Sequence, residues 1–339
     1  MGSSKGVYKL STFLEWFYGV FGGIKPASMP KVEMKRIVDS AGVKDWKTSS
    51  VTIAKCGILV CTYHNITRTD SAIDLISNGK SKNLIRRRDE TIGKPVLNNG
   101  WWYFPSENRV SNIIRVRDAD GKVETTSKIQ PEDYSACGIG EWFPISLAQR
   151  KGGSKPCLWS FLSGKRGYQY KKLHGIASGI CKWGGQTVIS VGDGAEAGVE
   201  SDAGDWITDD SAKTRDNWSC PTINTVNGNL IAFMKNGTVV KIKSLKDKAI
   251  KVIGNVGLKP CRSVSNERLI FWTTSNKDAL CVTNGVKCAR IWDMPGSDLS
   301  DGTSSGSLFD TDVSVSGDRI VVARSQHNGG FEVWEGVIK

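Results

Sequence analysis

A short pattern of polar and apolar residues recurs along this chain. Each instance is a turn residue followed by a burst of apolar and aromatic residues, as at 99–104 and 227–233. Counted from its second residue, the pattern stands at positions 57, 100, 140, 185, 228, 267 and 317. Intervals of ~40–50 residues are the period of repeating units built from four short strands.

The repeat around residues 222–253 shows the predicted unit most clearly. Strands are predicted at 222–226, 230–234, 238–243 and 249–253, and Asn-Gly pairs at 227–228 and 236–237 provide hairpin turns. Four strands joined in this way form one blade of a propeller. Seven such units predict an all-β protein, a seven-bladed β-propeller.

The last repeat lacks its fourth strand. Three strands are predicted at 312–315, 319–323 and 330–334, and the sequence ends at Lys339. An unassigned strand pattern stands near the other terminus, at 31–38. We therefore expect residues 31–38 to complete the last blade, because closure of the ring removes the most exposed sheet edges. The propeller domain is predicted to span 31–339.

Residues 1–30 are predicted to form a separate docking segment with one short N-terminal α-helix. Residues 12–15 have the spacing of a capping box, and Gly22-Gly23 can end the helix. The predicted contact residues form an apolar stripe at helical spacing: Phe13, Leu14, Trp16, Phe17 and Phe21. One interpretation is that the helix covers its own propeller, and another is that it docks into a neighbouring subunit. Attachment to a membrane surface is less favoured, because the polar face has few basic residues.

Two segments near the C-terminus resemble the strand endings of WD40-type repeats. They are Ala-Arg-Ile-Trp-Asp at 289–293 and Phe-Glu-Val-Trp-Glu at 331–335, and residues 313–322 resemble the strand pair that precedes such an ending. The resemblance implies a WD40-like propeller, a fold that commonly acts as a scaffold. It also suggests a functional analogy with the propellers of bacteriophage tail hubs and nozzles.

The chain has a formal net charge of +12. A basic surface attracts nucleic acid, anionic glycans, membrane headgroups or acidic proteins. Most lysines are dispersed in sequence, as at 235, 241, 243, 246, 248 and 251, and the dense run Arg86-Arg87-Arg88 falls on a predicted outer strand. Because lysine on an edge strand also prevents unwanted pairing, nucleic-acid binding is an alternative that we do not favour.

Candidate catalytic and metal-binding patterns are few. The nine cysteines include no Cys-x-x-Cys pair, which disfavours a zinc site, and His64 has no accompanying nucleophile motif. The acidic residues between 193 and 210 are interpreted as a solvated loop, with calcium binding as the alternative. Residues 201–206 resemble the Asp-box of sialidase-type propellers but are one residue short. The sequence therefore predicts no catalytic residue, no metal ligand and no cofactor.

These observations favour a non-enzymatic structural propeller that is a subunit of a larger assembly, plausibly a virion tail hub or nozzle. Its expected partners are other protein subunits, which include further copies of the chain. The alternative is a glycan-binding or sialidase-like glycan-cleaving propeller. No signal peptide or membrane span is evident, so we expect intracellular synthesis, with the protein in the virion if it is viral and in the cytoplasm otherwise.

Overall fold

The described part of the chain consists of antiparallel β-strands. In a computed structural model the residues described are 29–39, 46–64, 70–88, 91–92, 94–104, 106–107, 114–125, 145–148, 157–160, 168–172, 176–192, 198–207, 222–257, 260–274, 279–295, 311–325 and 330–339. The all-β prediction is confirmed, and these ranges contain no helix. The predicted N-terminal helix lies outside them.

Every element of the described residues is a strand. In the first half they are β1 (Val32–Asp39), β2 (Trp46–Ala54), β3 (Gly57–His64), β4 (Ser71–Ser77), β5 (Lys80–Arg87), β6 (Thr91–Ile92), β7 (Val96–Asn98), β8 (Trp101–Phe104), β9 (Ser106–Glu107), β10 (Ile114–Arg117), β11 (Val123–Thr125), β12 (Ile145–Ala148), β13 (Cys157–Ser160) and β14 (Tyr168–Lys172). In the second half they are β15 (Ile176–Trp183), β16 (Gln186–Gly192), β17 (Gly198–Ser201), β18 (Trp206–Ile207), β19 (Thr222–Val226), β20 (Asn229–Phe233), β21 (Thr238–Ser244), β22 (Ala249–Asn255), β23 (Pro260–Ser265), β24 (Ile270–Thr274), β25 (Ala279–Thr283), β26 (Cys288–Asp293), β27 (Thr311–Ser316), β28 (Arg319–Ser325) and β29 (Phe331–Ile338).

The described strands form six four-stranded sheets, one three-stranded sheet and one small pair. The four-stranded sheets have the orders β2-β3-β4-β5, β7-β8-β10-β11, β15-β16-β17-β18, β19-β20-β21-β22, β23-β24-β25-β26 and β27-β28-β29-β1. The others are β12-β13-β14 and β6-β9. The first strands of five sheets lie side by side, in the order β15, β19, β23, β27 and β2. The sheets are therefore arranged around a common axis.

The hydrophobic core lies between successive sheets. On β20, Leu230 and Ala232 pack toward the β15–β18 sheet, whereas Ile231 and Phe233 pack toward the β23–β26 sheet. Phe233 meets Trp272 with 4.7 Å between the ring centroids. Successive side chains of a strand point to opposite faces, so a sheet that packs on both sides buries nearly every position of its central strands. This explains why β24 and β25 are buried throughout.

One end of the sheet array consists of tight turns. At Asn99-Gly100 and Asn227-Gly228 both residues have positive φ, between 47° and 75°. Two consecutive residues of positive φ are the requirement of a type I′ hairpin turn, and Asn-Gly is its preferred sequence. We call this the turn end. We call the opposite end the loop end: there β18 ends and β19 begins, and β26 ends and β27 begins, and the residues between these strands, 208–221 and 296–310, lie outside the described residues.

The N-terminal strand lies beside the C-terminal one. β1 pairs antiparallel with β29, from Val32 opposite Ile338 to Asp39 opposite Glu332. Two backbone hydrogen bonds join Lys31 and Lys339, at 3.1 and 2.9 Å. β1 thus forms the fourth strand of the last sheet.

Candidate functional site

The strands nearest the axis carry polar side chains that are mostly buried. They include Thr48, Ser49, Ser50, Thr52, Thr222, Thr311, Asp312 and Ser314. Several hydrogen bonds in this group cross from one sheet to the next: Ile53 N donates to Ser314 Oγ at 3.0 Å, and the hydroxyls of Thr222 and Ser263 lie 2.9 Å apart. Buried polar groups need such partners, since burial without them is costly. The polar axis therefore joins neighbouring sheets.

An ion pair between the half-buried Lys94 and the buried Asp312 connects three sheets at the axis. Lys94, just before β7, donates from Nζ to Asp312 Oδ1 at 2.8 Å and to the carbonyl oxygen of Val313 at 3.0 Å. The other carboxylate oxygen of Asp312 accepts a hydrogen bond from Val51 N at 2.9 Å. Burial lowers the pKa of Lys94, the Asp312 carboxylate opposes that change, and the charge of Arg262 adds to it. The Lys94–Asp312 pair therefore links these sheets to one another.

Two further buried carboxylates accept hydrogen bonds from neighbouring backbone and side-chain groups. Asp118 accepts hydrogen bonds from Trp102 Nε1 at 2.8 Å and from Lys55 N at 2.9 Å. Glu332 accepts one from Arg324 at 2.6 Å and one from Arg36 at 3.1 Å. Each carboxylate has partners that hold strands together.

The cysteines and histidine that the structure describes lie in packed surroundings. Burial raises the pKa of Cys61 to about 12, so its thiol is a poor nucleophile. No disulfide joins the described cysteines. His64 meets Trp46 edge to face, with 5.6 Å between ring centroids. The described residues contain no group of three or more His, Cys, Asp or Glu side chains that could hold a metal ion.

Part of the acidic segment at 193–210 forms a hairpin turn. Ser201 N donates to the carbonyl oxygen of Asp205 at 2.8 Å, and Asp202 N donates to that of Thr187 at 2.9 Å. The residues that resemble an Asp-box therefore connect β17 to β18 at the turn end. Residues 193–197 and 208–210 lie outside the described part, so the solvated loop stays a prediction and calcium binding its untested alternative.

The predicted docking residues Phe13, Leu14, Trp16, Phe17 and Phe21 lie outside the described residues. The structure does show where that segment joins the fold. Met29 packs against the core between the β23–β26 sheet and the last sheet, and Lys31 bonds to Lys339. Met29, the first described residue, therefore lies at the turn end, on the same side as Lys339. Among the residues described, no helix has the length and hydrophobicity that a membrane crossing requires.

Lysines that are dispersed in sequence converge on the β19–β22 sheet. Lys241 stands directly opposite Lys251 in the pairing of β21 with β22. Partial burial is the main cause of the lowered pKa of Lys241, and the positive charges of Lys243 and Lys251 lower it further. The sequence analysis missed this cluster because strand register brings its members together. Two residues of the run at 86–88 make contacts within the fold. The Arg86 guanidinium lies over the Trp46 ring, and Arg87 donates a hydrogen bond to the Thr125 hydroxyl.

Four-stranded antiparallel sheets arranged around a polar axis define a β-propeller, and the chain has this fold. It is similar to virginiamycin B lyase from Staphylococcus aureus, with a TM-score of 0.61, 12% identity, and coverage of 91% of this chain and 99% of that one. It is also similar to YCF48 bound to D1 peptide, with a TM-score of 0.53, 8% identity, and coverage of 92% and 97%.

A chain of the mitotic checkpoint complex gives a TM-score of 0.56 at 9% identity, with coverage of 91% of this chain and 92% of that one. Identities this low show the fold alone. No protein-family model matches the sequence, and no curated protein gives a significant match.

Proposed function

We propose that the chain is a non-enzymatic propeller that serves as a protein-interaction subunit of a larger assembly. The observation that carries this proposal is that polar side chains along the axis are bound to one another and to the backbone of neighbouring sheets. Asp312 and Lys94 bond to each other and to the backbone of adjacent sheets, and the hydroxyls nearby also bridge sheets. Side chains engaged in this way make a rigid scaffold, which then acts through its outer surfaces.

The proposed ring has seven blades. Six would be the four-stranded sheets, and the seventh would be the β12-β13-β14 sheet, which has three described strands. The pairing of β1 with β29 supports closure of this ring by the N-terminal strand. A closed ring protects its edges and holds its surface in one shape, which suits a scaffold.

The proposed docking element is the N-terminal segment. Its attachment beside Lys339 supports this role, because a helix there can reach a neighbouring subunit without crossing the loop end. The apolar stripe of Phe13, Leu14, Trp16, Phe17 and Phe21 would be a liability in water, so a protein surface must cover it. The solved propellers with a bound D1 peptide or within the mitotic checkpoint complex support protein binding as a use of this fold. The virion setting stays a prediction based on analogy.

Native size fractionation of the tagged chain in extracts of its source tests the proposal. We expect the wild-type chain to migrate in a complex well above its own 37.0 kDa, and Phe13→Ser/Phe17→Ser to return it to the size of a monomer. Thermal melting followed by circular dichroism must show that this variant keeps its folded propeller. Wild-type protein that migrates as a monomer would contradict assembly. Loss of the folded propeller in the variant would show that the helix belongs to the chain's own core.

A further inference from the structure

The outer strand of the β19–β22 sheet has a free long edge. β22 pairs with β21 on one side, and no described strand pairs with its other side. The edge of a sheet carries backbone N–H and C=O groups that can accept another strand. We call the strand β22, together with Lys241 and Lys243 of β21, the β22 edge.

One face of the β22 edge is basic. Lys251 lies opposite Lys241, at the separation of directly paired residues, which is ~5 Å. Lys243 follows on the same strand as Lys241, and both Lys243 and Lys251 are exposed. No carboxylate among the described residues offsets their effect on Lys241. An acidic side chain placed beside Lys251 would supply the missing countercharge.

The other face of the β22 edge is apolar. Ile250 and Val252 stand opposite Ile242 and Val240, which are buried against the β15–β18 sheet. Ile250 and Val252 themselves are 40% and 60% exposed. The adjoining outer strand, β18, has two described residues, Trp206 and Ile207, and none of the described strands covers this face. Exposed apolar side chains on an edge strand are a liability that proteins usually avoid or cover.

We propose that the β22 edge binds an extended segment of a partner protein, in which acidic and apolar residues alternate, as a fifth strand of this sheet. In an antiparallel pair, directly opposite residues share one face of the sheet. Acidic residues of the added strand would stand beside Lys251, on the face that also carries Lys241 and Lys243 of β21. Its apolar residues would stand beside Ile250 and Val252. Backbone hydrogen bonds give such added strands affinity, and alternate side chains give them specificity.

A comparison with a second outer strand, β5, shows what distinguishes the β22 edge. β5 is also an outer strand with exposed lysines, at Lys80 and Lys82. Its apolar residues Leu84 and Ile85 are half-buried against the β7–β11 sheet, however, so it lacks an exposed apolar face. β22 combines the two kinds of face on alternating residues, as the strand period of two requires.

A nucleic acid fits the β22 edge less well. Single strands bind where aromatic side chains stack on the bases, and neither β21 nor β22 contains an aromatic residue. Phosphates would satisfy the lysines but would leave Ile250 and Val252 in water. A polypeptide can offer acidic side chains to the basic face and apolar side chains to the other face, so it is the proposed occupant of the β22 edge.

Fluorescence anisotropy with the full chain and a labelled eight-residue peptide of alternating valine and glutamate tests the proposal. We expect salt-sensitive binding, no binding of the valine–lysine counterpart, and a loss of about tenfold or more in Lys241→Glu/Lys251→Glu. The matched control is Lys80→Glu/Lys82→Glu, which changes the net charge equally on an outer strand without the apolar face. We expect this control to bind as the wild type does. Equal losses in both variants would overturn the proposal, because they would indicate general charge attraction.

Two N-methylated peptides test strand addition with the protein unchanged. One is methylated at every valine amide and the other at every glutamate amide, so each blocks one edge of the peptide. We expect one of them to lose binding and the other to keep it. Retention of binding by both would overturn strand addition. Ile250→Thr/Val252→Thr, which keeps β-branched residues, should also weaken binding of the parent peptide, and unchanged binding would contradict a role for the apolar face.

A second copy of the chain is the competing occupant. Light scattering that shows a wild-type dimer, which the Ile250→Thr/Val252→Thr variant loses, would replace the proposed partner with the chain itself. The proposal rests on the interaction role proposed above, but the two can fail separately. A native complex that survives Lys241→Glu/Lys251→Glu and that cannot be dissociated by the peptide would overturn only the β22-edge inference.

Discussion

The ion pair between Lys94 and Asp312 allows a quantitative test of what an inter-sheet contact contributes to the stability of the propeller. Asp312→Asn keeps the shape of the side chain but removes the charge that Lys94 faces at 2.8 Å. Breaking a buried ion pair from one side costs ~3–5 kcal/mol, because the remaining charge stays buried. Lys94 keeps 23% of its side-chain exposure, so we expect the lower end, about 3 kcal/mol.

This cost predicts a modest but measurable fall in melting temperature. A chain of 339 residues has an unfolding entropy of roughly 0.7 kcal/mol per kelvin, so about 3 kcal/mol corresponds to a decrease of ~4 °C. Differential scanning calorimetry at pH 7 measures it. The matched control is Asp120→Asn, which breaks the Arg117–Asp120 pair at 2.6 Å on the surface, and we expect it to leave the melting temperature nearly unchanged.

The pH dependence separates charge from packing. The pKa of Lys94 is lowered in the folded state, and Asp312→Asn removes the group that opposes this lowering. Between the folded-state pKa and the ordinary value of 10.5 the unfolded chain binds more protons, so stability increases with pH in that window. The deficit of Asp312→Asn should therefore shrink as the pH rises toward that value. A deficit that stays constant from pH 7 to pH 10 would refute the electrostatic reasoning.

Three further predictions follow from closure and from the buried side chains. Deletion of residues 1–40 should abolish a single cooperative unfolding transition, because it removes the strand paired with β29, whereas deletion of 1–28 should preserve it; an unchanged melt after the longer deletion would disprove closure. His64→Gln should leave any measured activity within a few-fold, since His64 packs on Trp46 as a structural side chain, and a loss of ~10²-fold or more would indicate a general base. Cys61 should resist thiol reagents at pH 8 until the protein unfolds, because burial raises its pKa to about 12. Mass spectrometry of labelled peptides measures this, and rapid modification of Cys61 in the native protein would contradict it.

Local signals determined the strands and turns of this protein. The strand predicted at 222–226 is found with these bounds, and the turn after it is the Asn227-Gly228 hairpin. Such turns need positive φ at two adjacent residues, which Asn-Gly tolerates, so their position is readable from the sequence. The strand at 31–38 was also recognisable, because a repeat that lacks its fourth strand requires one from elsewhere. The N-terminal helix and its docking role stay predictions.

The contacts that give the fold its chemistry were decided by the tertiary structure. Lys94 and Asp312 are 218 residues apart, and no local pattern marks them as partners. Lys241 and Lys251 appear as scattered lysines until the register of β21 against β22 places them opposite each other. Strand pattern depends on neighbouring residues, whereas register and the packing of one sheet on the next depend on side chains far apart in the chain. For this reason the sequence indicates the propeller, and only the folded chain shows the Lys94–Asp312 ion pair and the β22 edge with its basic face and its apolar face.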